Sequence, residues 1–197
     1  MSAGFLGRMQ ATTTTPSRQS ALIETNVRWL RQALRLVGGL DDTSYTTTPR
    51  GLAPHRAGAH LRHILEFYRC FLEGLECSHI DYDARRRDDT IEYSRDAASA
   101  AIRSVIRTLE TSRDLYQERI IWVRMEDADS NAVREGFMES SISRELQVLS
   151  SHTVHHFALI AITLRMHGVE IDSDFGMAPS TLRYLASKTA EAAQCAP

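Results

Sequence analysis

The sequence predicts an all-α fold: an antiparallel four-helix bundle with a short extra C-terminal helix and a small β-hairpin. Three observations lead there. Four stretches repeat apolar residues at three- and four-residue intervals, the period of a helix with one buried face. A single short segment, Ile120 to Met138, departs from that period toward β-branched and aromatic residues. The 197 residues, 43% of them hydrophobic, suffice for one core and leave little room for a second.

Residues 1–19 are rich in Thr, Ser and Gly without apolar periodicity and are expected to be a tail, with Met9 a second candidate start. The bundle is placed at 20–190, and 191–197 as a C-terminal tail. In the first helix Leu22, Ile23, Val27, Leu30, Leu34 and Val37 form the stripe, and Gly38-Gly39 end it. A loop with Pro49 and Pro54 follows. The second helix runs from Pro54 or His55 to Leu75, with Leu61, Ile64, Leu65, Tyr68, Phe71 and Leu72 on its apolar face. Cys77 to Ile91 reads as a charged connection. The third helix spans Tyr93 to about Tyr116 around Ala98, Ala101, Ile102, Val105, Ile106 and Leu109. Ile120-Ile121-Trp122-Val123 and a piece starting at Ala132-Val133 make the expected hairpin. Ser141, with Ser143 as an alternative, caps a fourth helix that stops near His167-Gly168. Pro179 opens the last helix, with Leu182 and Leu185 expected to face inward.

The fourth helix carries the chemistry. His152 and His156 are four residues apart, so they lie one above the other on one face, while His155 points about a third of a turn away. Two imidazoles so placed can share a metal ion; the plain alternative is a pair of surface or core histidines. His60 and His63 on the second helix are both candidates for a third ligand.

Composition excludes some classes. Lys+Arg 23 against Asp+Glu 25 gives a net charge of −2, with no basic block, so neither nucleic acid nor a membrane surface is an expected partner. There is no apolar run long enough for a span and no signal-peptide core, which makes cytoplasmic residence the expectation. Cys70, Cys77 and Cys195 have no metal-type spacing and read as buried or free thiols. Trp29 and Trp122 read as core or rim aromatics.

Gly58-Ala59-His60-Leu61-Arg62-His63-Ile64-Leu65 resembles the second-helix signature of the DinB-like (YfiT-like) metal-binding four-helix bundles. His152-Thr153-Val154-His155-His156 resembles their fourth-helix signature, and the resemblance runs from about Ser20 to Leu185. It implies one divalent ion held by His63, His152 and His156, with His63 fitting the family frame better than His60. His60, His155, Glu66, Asp83 and Glu145 are candidates for the groups that orient the ligands. Tyr82-Asp83-Ala84-Arg85-Arg86-Arg87-Asp88 and Phe175-Gly176-Met177-Ala178-Pro179-Ser180-Thr181 resemble segments of a subset of the family. By their residues alone they read as a salt-bridged loop pinning the second helix to the third, and as a loop-to-helix cap. The chain departs from the family at Phe157-Ala158-Leu159, where a polar Arg-Gly-Gln is common.

Three neutral imidazoles leave the ion its full charge and at least one open position, where a water is acidified or a thiolate aimed. Zn²⁺ and Ni²⁺ suit such a site, with Fe²⁺ a further candidate; affinity order alone favours copper, so availability decides. The resemblance implies a metal-dependent hydrolase or thiol S-transferase acting on a small molecule or low-molecular-weight thiol, with homodimerisation open. The competing readings are a non-catalytic metal-binding module and an interaction protein.

Overall fold

A computed structural model describes residues 17–52, 55–125 and 136–194. The chain is mostly helical, with α1 Arg18–Gly39, α2 Asp42–Thr46, α3 Ala57–Gly74, α4 Asp89–Tyr93, α5 Arg95–Thr111, α6 Ile142–Met166 and α7 Pro179–Gln194. Three short strands, β1 His79–Asp81, β2 Ile120–Arg124 and β3 Met138–Ser141, form one sheet. Among the described residues no helix is long and apolar enough to cross a membrane.

Each of α1 and α3 packs against both α5 and α6. The predicted stripes supply the core: Val27, Leu30 and Val37 from α1, Leu61, Ile64 and Leu65 from α3, Ile102 and Leu109 from α5, Leu146, Leu149 and Ile160 from α6. Helix α1 begins inside the stretch expected to be tail, because the Ser17 hydroxyl accepts the Ser20 N–H. Ser141 caps α6 as expected, accepting the Arg144 N–H at 3.3 Å, and Gly168 ends its turn at φ +75°. Ser94 caps α5, the predicted third helix, which ends at Thr111 and is followed by a 3-10 turn over Arg113–Tyr116; α4 is a short helix at the end of the stretch read as connection. Asp41 caps α2 inside the predicted loop.

A buried polar network sets α1, α3 and α6 in register. Asn26, wholly buried on α1, donates to the carbonyls of Leu22 and Leu146 and accepts from the Tyr68 hydroxyl at 2.6 Å. The Thr153 hydroxyl, next to His152, donates to the Leu149 carbonyl of its own helix at 2.7 Å and lies 3.2 Å from the Tyr68 hydroxyl. The Tyr68 hydroxyl and the Asn26 side-chain oxygen meet only when α1 and α3 hold one rotation and height, since an unmet buried polar group costs about 1–3 kcal/mol.

The expected hairpin is present as the antiparallel pair β2–β3, with Trp122 opposite Glu139; the piece expected at Ala132-Val133 lies outside the described residues. The third strand is a correction. His79-Ile80-Asp81, read as connection, runs parallel to β2 with Ile80 opposite Val123. Three residues are too few for periodicity to register, and the pairing is made by a partner forty residues away. Helix α7 is a second correction: Leu182 is half-buried and Leu185 is 44% exposed. An amphipathic pattern says which side of a helix is apolar, and the packing of the other helices is already complete without α7.

Candidate metal centre

The packing of α3 on α6 carries His63 across to His152 and His156, and these three are the described residues that can hold a metal ion, with ligand atoms all within 4.8 Å of one another. His152 Nε2 stands 3.1 Å from His63 Nε2 and 3.1 Å from His156 Nε2. Zinc–nitrogen bonds of about 2.0–2.1 Å set tetrahedral nitrogen pairs about 3.3–3.4 Å apart, so these two pairs match the spacing that one shared ion requires. His155 is exposed, as its position a third of a turn away requires.

The outward-facing Nδ1 atoms differ. His156 Nδ1 lies 3.1 Å from Nδ1 of His60, a residue 7% exposed, and His60 Nε2 lies 3.2 Å from Nδ1 of His55. His63 Nδ1 is approached by the Arg85 guanidinium at 3.5 Å. His152 Nδ1 is buried with no hydrogen-bond partner among the described residues. Burial lowers all four inner histidines below the usual imidazole range, His60, His63 and His152 to about 4 and His156 to about 3. Neighbouring imidazoles add to the effect, and Arg85 and Arg62 do so for His63. The rings are therefore neutral at physiological pH, the form that ligates.

One wall is aromatic. The Phe67 ring lies 4.2 Å from that of His152 and 4.8 Å from that of Tyr82, nearly parallel to both. Arg85 caps Phe67 at 5.0 Å and donates to the Tyr82 carbonyl at 2.7 Å. Glu66, 2% exposed, holds this wall in place: it accepts the Asp88 N–H and stands 3.5 and 3.6 Å from Arg62 and Arg85.

The orienting groups expected from sequence divide accordingly. His60 faces a ligating ring. Glu66 is ion-paired with the arginines, and Glu145, also buried, accepts from the Tyr82 and Ser140 hydroxyls at 3.0 and 2.6 Å. Asp83 is exposed, its N–H donating to Asp81. The Tyr82–Asp88 segment is salt-bridged, as its residues implied, through Arg86–Glu73 and Asp88–Arg69. These bridges run to α3 and not to the third helix, because Tyr82 turns inward to Glu145 and carries the segment over α3. Phe175 is buried against Phe157, their rings 4.7 Å apart, and Gly176 crosses α6 so closely that a Cβ would lie 2.8 Å from the Phe157 carbonyl carbon. Trp29 is buried and Trp122 is at the rim; Cys70 and Cys77 are free thiols.

His55, Phe67 and Arg85 were not picked out as neighbours of the metal ligands. The helix expected to start at Pro54 or His55 starts at Ala57, which leaves His55 ahead of it, and Arg85 sits in a charge run whose usual reading is bland. A cavity of about 920 Å³ lies between α3, α5 and the Tyr82–Asp88 segment; Glu66 and Arg85 line it, and the three histidines do not.

No family model matches the chain, and no solved structure matches it. The chain is 31% identical over 108 residues to FK506-binding protein 5 of Rhizopus delemar, a stretch covering 54% of this chain and 27% of that protein.

Proposed function

We propose that this chain is a DinB-like metal-dependent enzyme of the cytoplasm, its four long helices forming an antiparallel four-helix bundle. His63, His152 and His156 hold one divalent ion, Zn²⁺ or Ni²⁺ first and Fe²⁺ next, where a small molecule is hydrolysed or a thiol transferred. The observation that supports this most is the convergence of three neutral Nε2 atoms with no fourth protein ligand among the described residues. When bound, the ion supplies Lewis acidity at an open position.

The chain's own residues then set what that position accepts. Among the described residues imidazoles, Phe67 and the Arg85 guanidinium are drawn up to the ligands, and the buried carboxylates Glu66 and Glu145 are committed to other partners. An ion with undiminished charge beside a guanidinium favours an anionic occupant such as a thiolate. Phe67 and Tyr82 exclude water from the His152 side.

A non-catalytic metal-holding module is the second reading, favoured by the position of the 920 Å³ cavity away from the histidines. Elemental analysis of the purified protein, followed by Co²⁺ substitution, tests the proposal. One equivalent of metal and a visible spectrum that shifts when azide or a thiol is added are expected. A protein that takes up no metal overturns both readings, and a cobalt spectrum unmoved by every added ligand overturns the enzyme.

A further inference from the structure

A neutral imidazole that binds a metal through Nε2 must carry its proton on Nδ1. That is the less favoured tautomer of a free imidazole, so an acceptor at Nδ1 holds a ligating ring ready. Among the three only His156 has one here, since His63 Nδ1 faces the Arg85 guanidinium and His152 Nδ1 has no partner among the described residues. The acceptor is ordinarily a carboxylate, a carbonyl or water. Here His156 Nδ1 has another imidazole, His60 Nδ1, at 3.1 Å.

Once His156 donates, the remaining protons are fixed in turn. His60 Nδ1 accepts, so its proton sits on Nε2 and points at His55 Nδ1, 3.2 Å away. The His55 and His60 rings are stacked within 6° of parallel, with centroids 5.2 Å apart. His55 Nδ1 therefore accepts, and its own Nε2 proton belongs to the exposed end of the chain. Every donor points outward from the ligand, and both outer rings keep the ordinarily favoured tautomer.

A second metal between His156 and His60 would also bring two nitrogens to 3.1 Å. It lacks a third ligand: the group of metal-binding side chains among the described residues ends at His63, His152 and His156. His60 Nε2 is turned to His55, away from that point.

We infer that His60 and His55 are positioning residues: they form an outward-directed imidazole chain that locks His156 in the tautomer whose Nε2 faces the metal. The inference rests on the three-histidine reading of the site. Its test begins without metal. Nitrogen-15 spectra of the histidine side chains in the metal-free protein at pH 7.5 should show His156 protonated on Nδ1 and His60 on Nε2.

His60→Leu removes the acceptor and keeps the packing volume, and should shift His156 toward the Nε2-protonated form. His60→Asn, whose amide oxygen can stand near the lost Nδ1, should restore the Nδ1 form. Zn²⁺ affinity, measured against a competing chelator, should fall about 10- to 100-fold in His60→Leu and recover in His60→Asn. Wild-type His156 protonated on Nε2, or a tautomer and affinity both unmoved by His60→Leu, overturns the chain. Expected tautomers in a wild-type protein that binds no Zn²⁺ would leave the chain standing and remove the metal reading instead.

Discussion

The two flanks of the histidine cluster are built on opposite principles. On the His156 flank a line of imidazoles, His60 and then His55, leads from the ligand to the exposed surface, with polar contacts at each step. On the His152 flank the ring lies on Phe67, its Nδ1 has no partner among the described residues, and the nearest charge, Arg85, is held by buried Glu66. The first flank is a polar line of rings that reaches the surface. The second is a rigid, packed aromatic wall in which His152 Nδ1 is left without a partner among the described residues.

The sharpest test of this contrast is the ligand set itself. His63→Ala, His152→Ala and His156→Ala should each abolish stoichiometric metal binding, whereas exposed His155→Ala should retain it; elemental analysis after dialysis reads the difference. Equal retention in all four would remove the shared centre and the contrast with it.

Next in size is the rigid flank. Arg85→Met keeps the aliphatic contact with Phe67 and leaves Glu66 with one fewer cation. A loss of about 1–3 kcal/mol in denaturant unfolding is expected, since the ion pair with buried Glu66 and the charged hydrogen bond to the Tyr82 carbonyl are both removed. An unchanged midpoint would mean that Arg62 and the Asp88 N–H satisfy Glu66 alone.

The pH response involves both flanks. The inner histidines titrate at about 4 and about 3 in the folded chain and near 6.5 when unfolded, so the unfolded state binds more protons between those values. Stability of the metal-free protein should be full above pH 6.5, fall as the pH drops through 6.5 to about 3, and level off below. Thermal melts across pH 8 to 3 measure it. Metal affinity should stay nearly flat from pH 8 to 5, because protons do not compete for the folded ligands there. Metal-free protein should remain helical at pH 7, its apolar core needing no ion to form.

The smallest effect belongs to the outer end of the polar flank. His55→Ala should change unfolding stability by less than about 0.5 kcal/mol, the range for a surface site. It should weaken Zn²⁺ binding less than His60→Leu does. A His55→Ala loss as large as that of Arg85→Met would show that His55 is part of a packed wall as well.

Much of the helical layout was legible because its causes are local. Ser141 before Arg144 and Glu145 marked the start of α6, and Gly168 its end. The stripes of α1, α3 and α5 followed from their own spacing. The small elements were less legible: β1 is three residues long, and α2 and α4 depend on the caps Asp41 and Asp88 inside stretches dense in turn formers. For α7 the apolar side was readable, but its exposure was not, because no local signal says whether a partner waits.

By itself the sequence determined that His152 and His156 share a face, since a helix of about 3.6 residues per turn aligns positions four apart whatever surrounds it. It did not determine which histidine of α3 meets them. His60 and His63 differ by only about 60° around their axis, so both stood near enough to serve. The tertiary structure decided between them through the Leu146–Asn26–Tyr68 network, which fixes the roll and height of α3 against α6. That roll turns His63 Nε2 onto His152 and leaves His60 to meet the back of His156. Periodicity describes a helix relative to its own axis, and the place where two helices' side chains meet is fixed only when both are packed.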